Sequence, residues 1–179
     1  MNKTLEQFRA VFDQCEGIFL RKHKDYGSNW RIFRPSSLTD QMYIKAMRIR
    51  TLEETGINKV NESVEGEYMA LVNYGILALI QLSLKEEEEL ELPLERVTEL
   101  YRHFRQKAEE LMMNKNHDYG EAWRTMRISS ITDLILAKIL RIKQIEDNEG
   151  LVIASEGPSG NYYDIIIYAI FCLIRLQED

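Results

Sequence analysis

The chain has 179 residues, a 45% hydrophobic share and a formal net charge of -6. That length bounds it to one domain or two very small ones, and the hydrophobic share suits a chain that buries a core. The acidic balance excludes general binding to a nucleic-acid backbone.

The start, Met1 to Arg9, carries charges and no apolar run, so no signal peptide is expected. Leu5, Phe8, Phe12, Cys15 and Phe19 recur at helical spacing and predict a helix over 4–21. A loop with Asp25-Tyr26-Gly27 and Trp30-Arg31 follows, in which Gly27 supplies a left-handed turn. Ser37, with Asp40 three residues on, is a box-like capping signature that opens a second helix, over 37–54. After a loop at Gly56, a strongly apolar third helix spans 63–84, with Leu71, Ile76, Leu77 and Ile80. Residues 85–93 are a glutamate run closed by Pro93, expected to be a solvated connector.

The same order then returns. A helix over 94–115 points Tyr101, Phe104, Ala108, Leu111 and Met112 inward, and the loop at Asp118-Tyr119-Gly120 follows. A helix runs from Ser130 to Glu146, and after Gly150 an apolar helix covers 160–177. The longest apolar run, Ile165 to Ile174, falls short of the roughly 20 residues a bilayer span needs and reads as a core helix. Cys15 and Cys172 sit in apolar helical patterns as buried thiols, which suits a reducing compartment and a cytoplasmic protein.

The return is a duplication. Lys22, Asp25, Tyr26 and Gly27 overlie Lys115, Asp118, Tyr119 and Gly120 at an offset of 93, which holds through Trp30/Trp123, Lys45/Lys138 and Arg48/Arg141. Between Lys22 and Glu54 there are 15 identities in 33 positions without a gap. One residue is then inserted, and Glu62 pairs with Glu156. The expected fold is all-α: two tandem three-helix repeats, 1–85 and 94–179, joined by the acidic connector 86–93 and packed as an intramolecular pseudo-dimer in one domain.

Charge is distributed unevenly. Arg21 to Arg50 carries a net +6 and Asn114 to Lys143 a net +3, which leaves -15 on the remainder. Lys45 and Arg48 share a helix face, as do Lys138 and Arg141. With Lys22, Arg31, Arg34, Lys115, Arg124 and Arg127 from the flanking segments they form a candidate phosphate site. The other reading is that these cations neutralise carboxylates across the pseudo-dimer. Asp25 and Asp118 either cap their turns or reach a metal. Trp30 and Trp123, beside Tyr26 and Tyr119, either stack on a base or pack half-buried.

Glu62 and Glu65 lie three apart at a helix start, with Glu67 and Glu53 near in the sequence. The second copy keeps Glu156 and places Asp164, where the first has Ala70, inside an apolar helix. An ionised group there is costly unless paired or metal-bound. Glu62, Glu65, Glu156 and Asp164 are therefore candidate catalytic residues, with Glu62, Glu65 and Asp164 as ligands for magnesium or manganese. The alternative is that the glutamates complement the helix dipole and Asp164 pairs with a cation.

The pattern Lys22-x-x-Asp25-Tyr26-Gly27, Trp30-Arg31, Asp40 with Lys45 and Arg48-Ile49, then Glu62-Ser63-x-Glu65 ahead of Asn73-Tyr74, resembles the nucleotide modification associated domain 1 family (domain of unknown function 1599). The second copy matches through Arg141 and is weaker afterwards. That family resembles, more distantly, the all-helical nucleoside triphosphate pyrophosphatases of the MazG and dimeric dUTPase group. The distant likeness implies magnesium-dependent hydrolysis of a nucleotide-like triphosphate with release of pyrophosphate. Each copy carries half of the relatives' Glu-x-x-Asp motif, Glu67 with Ala70 or Asn161 with Asp164. A composite site or lost catalysis would both leave that trace. Two other functions fit the same residues. One is an accessory module that binds a phosphorylated, nucleotide-like ligand without turnover. The other is a structural adaptor whose charges only hold the pseudo-dimer together; a homo-oligomer is compatible with each reading. None of the three involves a membrane.

Overall fold

Helical periodicity becomes six long helices among the residues that the computed structural model describes, 2–84, 89–149 and 157–178. They are α1 (Asn2–Tyr26), α2 (Pro35–Thr55), α3 (Val64–Ser83), α4 (Leu94–Tyr119), α5 (Ile128–Asp147) and α6 (Pro158–Glu178). Short 3₁₀ segments, Asn29–Ile32 and Ala122–Arg124, follow α1 and α4. No helix among the described residues is long and apolar enough to cross a membrane.

Helix ends depart from expectation for identifiable reasons. Nothing in Lys22 to Tyr26 breaks a helix, so α1 continues to Gly27. There φ is +64° and the N–H reaches the His23 carbonyl at 2.8 Å. Gly120 ends α4 with the same φ and a 2.9 Å bond to Asn116. Such a left-handed cap is nearly free of cost for glycine. Lys22, Asp25 and Tyr26 therefore stand on a final helical turn, as do Lys115, Asp118 and Tyr119. The expected box at Ser37 and Asp40 does not form. α2 begins two residues earlier, with Pro35 preset for the first helical position and the Arg34 carbonyl taking the N–H groups of Ser37 and Leu38. Asp40 instead reaches Lys143 of the other copy at 3.0 Å, and Asp133 reaches Arg50 at 3.5 Å. Ser63 does cap α3, its Oγ accepting from the Gly66 N–H at 3.0 Å.

Each helix packs against its own counterpart: α3 against α6 at the centre, α2 against α5, and α1 against α4. Within each copy the second helix also packs on the third. This is the arrangement of a two-fold dimer made within one chain. The polar contacts repeat with the same symmetry. Tyr68 and Thr132 share a hydrogen bond at 2.7 Å, and so do Tyr162 and Thr39. Thr132 also donates to Glu53, and Thr39 to Glu146. Gln81 on α3 holds the Arg31 and Phe33 carbonyls, as Arg175 on α6 holds those of Trp123 and Met126. These pairs set the register of α3 on α6 at an offset of 94.

The two third helices supply many of the fully buried side chains, including Leu71, Ile76, Ile80, Ile165, Ile166 and Ile170. Gly75 lets them meet: a Cβ there would stand 2.6 Å from Ile166 Cγ1. Leu111, expected inward, is 37% exposed, because its neighbour Met112 takes the inward position on α4. Residues 85–88 of the connector lie outside the described residues. Its described end is exposed at residues 89–91 and 93 yet docked at one point: the Glu91 carboxylate accepts the Ser28 N–H, the Leu92 N–H donates to Ser28 Oγ, and Leu92 is buried.

Candidate functional site

A cavity of about 410 Å³ opens in the first copy between the end of α1, the following 3₁₀ segment, α2 and α3. That volume lies within the range of small-molecule sites. Lys22 and Tyr26, four residues apart, present one face of the last turn of α1. Lys45 enters from the middle of α2. Ala70, Tyr74 and Leu77 line the cavity from one stripe of α3, and Gly66 stands at its N-terminal end. Phe19, Phe33 and Met69 complete an apolar wall. Tyr26 is 68% exposed beside the opening.

Two buried nitrogens on cavity residues lack partners among the described residues: Trp30 Nε1 and His23 Nδ1. Both residues are over nine-tenths buried, Trp30 at 7% exposure and His23 at 8%. The second copy satisfies the same pair internally. Trp123 Nε1 donates to Asn116 Oδ1 at 3.2 Å, and Asn116 stands where His23 stands in the first copy. An unpaired buried donor costs about 1–3 kcal/mol, and an acceptor placed beside Trp30 Nε1 would offset that cost.

The cations divide by copy. Lys45 lies 3.5 Å from the buried Glu67, whose other oxygen is 3.3 Å from Arg48. Arg48 also donates to Asn58 Oδ1 and to the Glu62 carbonyl, which fastens the loop before α3. It therefore braces the site and does not line the cavity. Lys22, Lys45 and Arg48 against Glu67 leave a net positive charge there. In the second copy Lys115 and Lys138 close on Asp164. Lys115 Nζ donates to Oδ1, and Lys138 Nζ stands 3.0 Å from Oδ2.

The remaining basic candidates stand apart. Arg31 donates to Gln81. Arg124 is held by Glu121, Glu178, Thr4 and Gln7 and lies 4.3 Å above the Trp123 ring. Arg34 and Arg127 occupy the positions before α2 and α5, and both are exposed, as is Arg141. Asp25 and Asp118 are exposed, the latter 3.1 Å from His117. Tyr119 is exposed. Trp123 is buried and stacks on Phe171 with centroids 4.1 Å apart and planes 3° from parallel.

The acidic candidates do not converge. Glu62 is exposed and Glu65 half-buried at the start of α3, directly before cavity-lining Gly66. Asp164 lies in the second copy, both oxygens taken by lysines, and Glu156 falls outside the described residues. Glu53 faces Thr132 and not Glu67. Burial pushes the Glu53 carboxyl above its usual range, against the pull of the Thr132 hydrogen bond, and Glu146 is raised in the same way. Among the described residues no three His, Cys, Asp or Glu side chains come together. Asn73, half-buried on α3, is satisfied structurally: it donates to the Cys15 carbonyl and accepts from Tyr101.

His23, Phe33, Met69 and Leu77 are cavity residues that sequence reasoning did not select. The signal for them lay in the differences between the copies, His23 against Asn116 and Leu77 against Phe171, more than in the identities.

The sequence profile of the nucleotide modification associated domain 1 family matches the chain twice, over residues 22–82 and 115–176. Comparison with curated proteins and with solved structures gives no match. The two matches span more than half of the chain and coincide with its two copies. The chain belongs to that family.

Proposed function

We propose that this member of the nucleotide modification associated domain 1 family binds a small phosphorylated, nucleotide-like ligand in the cavity of its first copy. The observation that carries the reading is the cavity itself, which places two ammonium groups, an aromatic wall and an unsatisfied indole N–H around one space of ligand size. Lys22 and Lys45 neutralise the phosphate. Tyr26, Trp30 and Tyr74 flank the planar body of the ligand, and Trp30 Nε1 donates to an acceptor on it. Glu67 keeps Lys45 and Arg48 in place.

A second reading, hydrolysis of a triphosphate with release of pyrophosphate, draws support from the position of Glu65 beside Gly66 and of Glu62 one turn before. Magnesium is commonly held by one or two carboxylates together with substrate phosphates. Glu65 on the first turn of α3, with Glu62 ahead of the Ser63 cap, would be the carboxylates available to such an ion, which would polarise the phosphoryl group.

The test is a panel of nucleoside mono-, di- and triphosphates, pterin triphosphates and the unphosphorylated compounds. Each is run with magnesium and with chelator, and read by thermal shift and by pyrophosphate release. Binding of phosphorylated members that survives chelation supports the binding module. Metal-dependent release that is lost in Glu65→Gln supports the hydrolase. No response from any member removes both.

A further inference from the structure

We infer that Asp164 is a built-in counterpart of the ligand's oxyanion. Its carboxylate occupies in the second copy the place that the ligand's anionic group takes in the first, so the chain holds one ligand, between Lys22 and Lys45 beside Ala70. This deepens the binding function proposed above and rests on it for the identity of the ligand, but not for the existence of the oxyanion site.

The two copies act as each other's control. The repeated bonds of Tyr68 and Tyr162, and of Gln81 and Arg175, fix α3 and α6 in register, so Ala70 and Asp164 are equivalent positions. Lys22 and Lys45 are equivalent to Lys115 and Lys138. In the second copy the two lysines converge on one two-oxygen anion. Their backbone positions therefore suit a pair of ammonium groups bridged by an oxyanion. In the first copy the anion-bearing side chain is cut back to a methyl group, and both lysines line open space together with that methyl.

Two further differences close the second site and open the first. Phe171 stacks on Trp123, whereas Leu77 at the equivalent position lines the cavity together with Trp30. Asn116 satisfies the Trp123 indole, whereas Trp30 Nε1 and His23 Nδ1 have no partner among the described residues. The first copy lacks the carboxylate that bridges both lysines, the ring stacked on the tryptophan and the indole acceptor; its own Glu67 reaches Lys45 and Arg48 from one turn away. The missing set describes the ligand: an oxyanion attached to a flat apolar body that carries an acceptor.

The test uses the full chain and inorganic phosphate, at constant ionic strength with chloride as the reference salt. Four proteins are compared: wild type, Ala70→Asp, Ala70→Asn and Asp164→Ala. The Tm gain on adding phosphate is expected to rank Asp164→Ala above wild type and wild type above Ala70→Asp, whose gain falls to the general salting effect of phosphate shared by all four. Without phosphate, Ala70→Asp is expected to melt above Ala70→Asn, which carries the same bulk without the charge, and a Lys22→Ala change should erase that difference. Equal phosphate gains in the four proteins, or no advantage of Ala70→Asp over Ala70→Asn, would overturn the inference. If the ranking holds while the wild type takes up no nucleotide, the oxyanion site stands and the nucleotide reading falls.

Discussion

Gly75→Ala is expected to destabilise the protein although alanine is the better helix former. Gly75 lies in the interior of α3, where the exchange alone contributes about 1 kcal/mol in favour of folding. Against this, the new Cβ stands 2.6 Å from Ile166 Cγ1 and 3.1 Å from its Cδ1. Ile166 is fully buried, and both helices are pinned by the Tyr68–Thr132 and Tyr162–Thr39 bonds, so neither can withdraw freely. Overpacking of this kind costs about 1–3 kcal/mol, which exceeds the propensity gain over most of its range. Ile166→Ala removes both clashing atoms at a cost of about 2–5 kcal/mol. In that background Gly75→Ala should become stabilising, by up to about 1 kcal/mol. Urea unfolding followed by circular dichroism on the four proteins of this cycle reads the sign change directly. Stabilisation by Gly75→Ala with Ile166 intact would refute the close α3–α6 contact, and with it the packing that places the cavity.

The same packing predicts other outcomes. In Trp123→Phe the remaining indole lines the cavity, so its fluorescence should respond to a bound ligand; in Trp30→Phe the remaining indole is sealed under Phe171 and Arg124 and should not. The Glu53 and Glu146 carboxyls are raised in the folded state by burial, so the folded chain binds protons more tightly than the unfolded chain. Their contribution to stability is fully present below the ordinary glutamate range and is lost as pH rises through the raised values. Glu53→Gln and Glu146→Gln should flatten that decline in a series of unfolding curves, and an unchanged slope would speak against it. Burial pushes the Cys15 and Cys172 thiols up to about 12, so at pH 8 a thiol reagent should label both only at the rate of unfolding.

Much of the fold was legible because helical periodicity and the duplication agree with each other. A span of identities such as Lys22 to Glu53 against Lys115 to Glu146 dictates equivalent helices, and two equivalent apolar third helices must meet to bury their faces. Boundaries were less legible where a local signal competed with a stronger one, as at Pro35, which starts α2 ahead of Ser37. In the candidate site the spacing of the cations was legible, but not the partners that hold them. Lys45 and Arg48 share a helix face in any reading, yet Glu67 comes to them only by the packing of α3 on α2. Arg124, chemically a good phosphate ligand, is withdrawn by Glu121, three residues before it, and by Glu178 of α6, which spacing does not relate to it. Asp164 was read as a costly buried charge in need of a partner. Its partners are two lysines, Lys115 at the end of α4 and Lys138 on α5.

Calorimetric titration of the tightest phosphorylated ligand into wild type, Lys45→Met and Lys138→Met tests the central claim most directly. Methionine keeps an unbranched apolar stem and removes the charge. A hydrogen bond to a charged group contributes about 1.5–3 kcal/mol, so Lys45→Met should weaken binding by about tenfold or more. Lys138→Met, which touches only the internally closed second copy, should leave the affinity unchanged. Equal affinities in all three proteins, or a loss confined to Lys138→Met, would contradict the assignment of the ligand to the first-copy cavity.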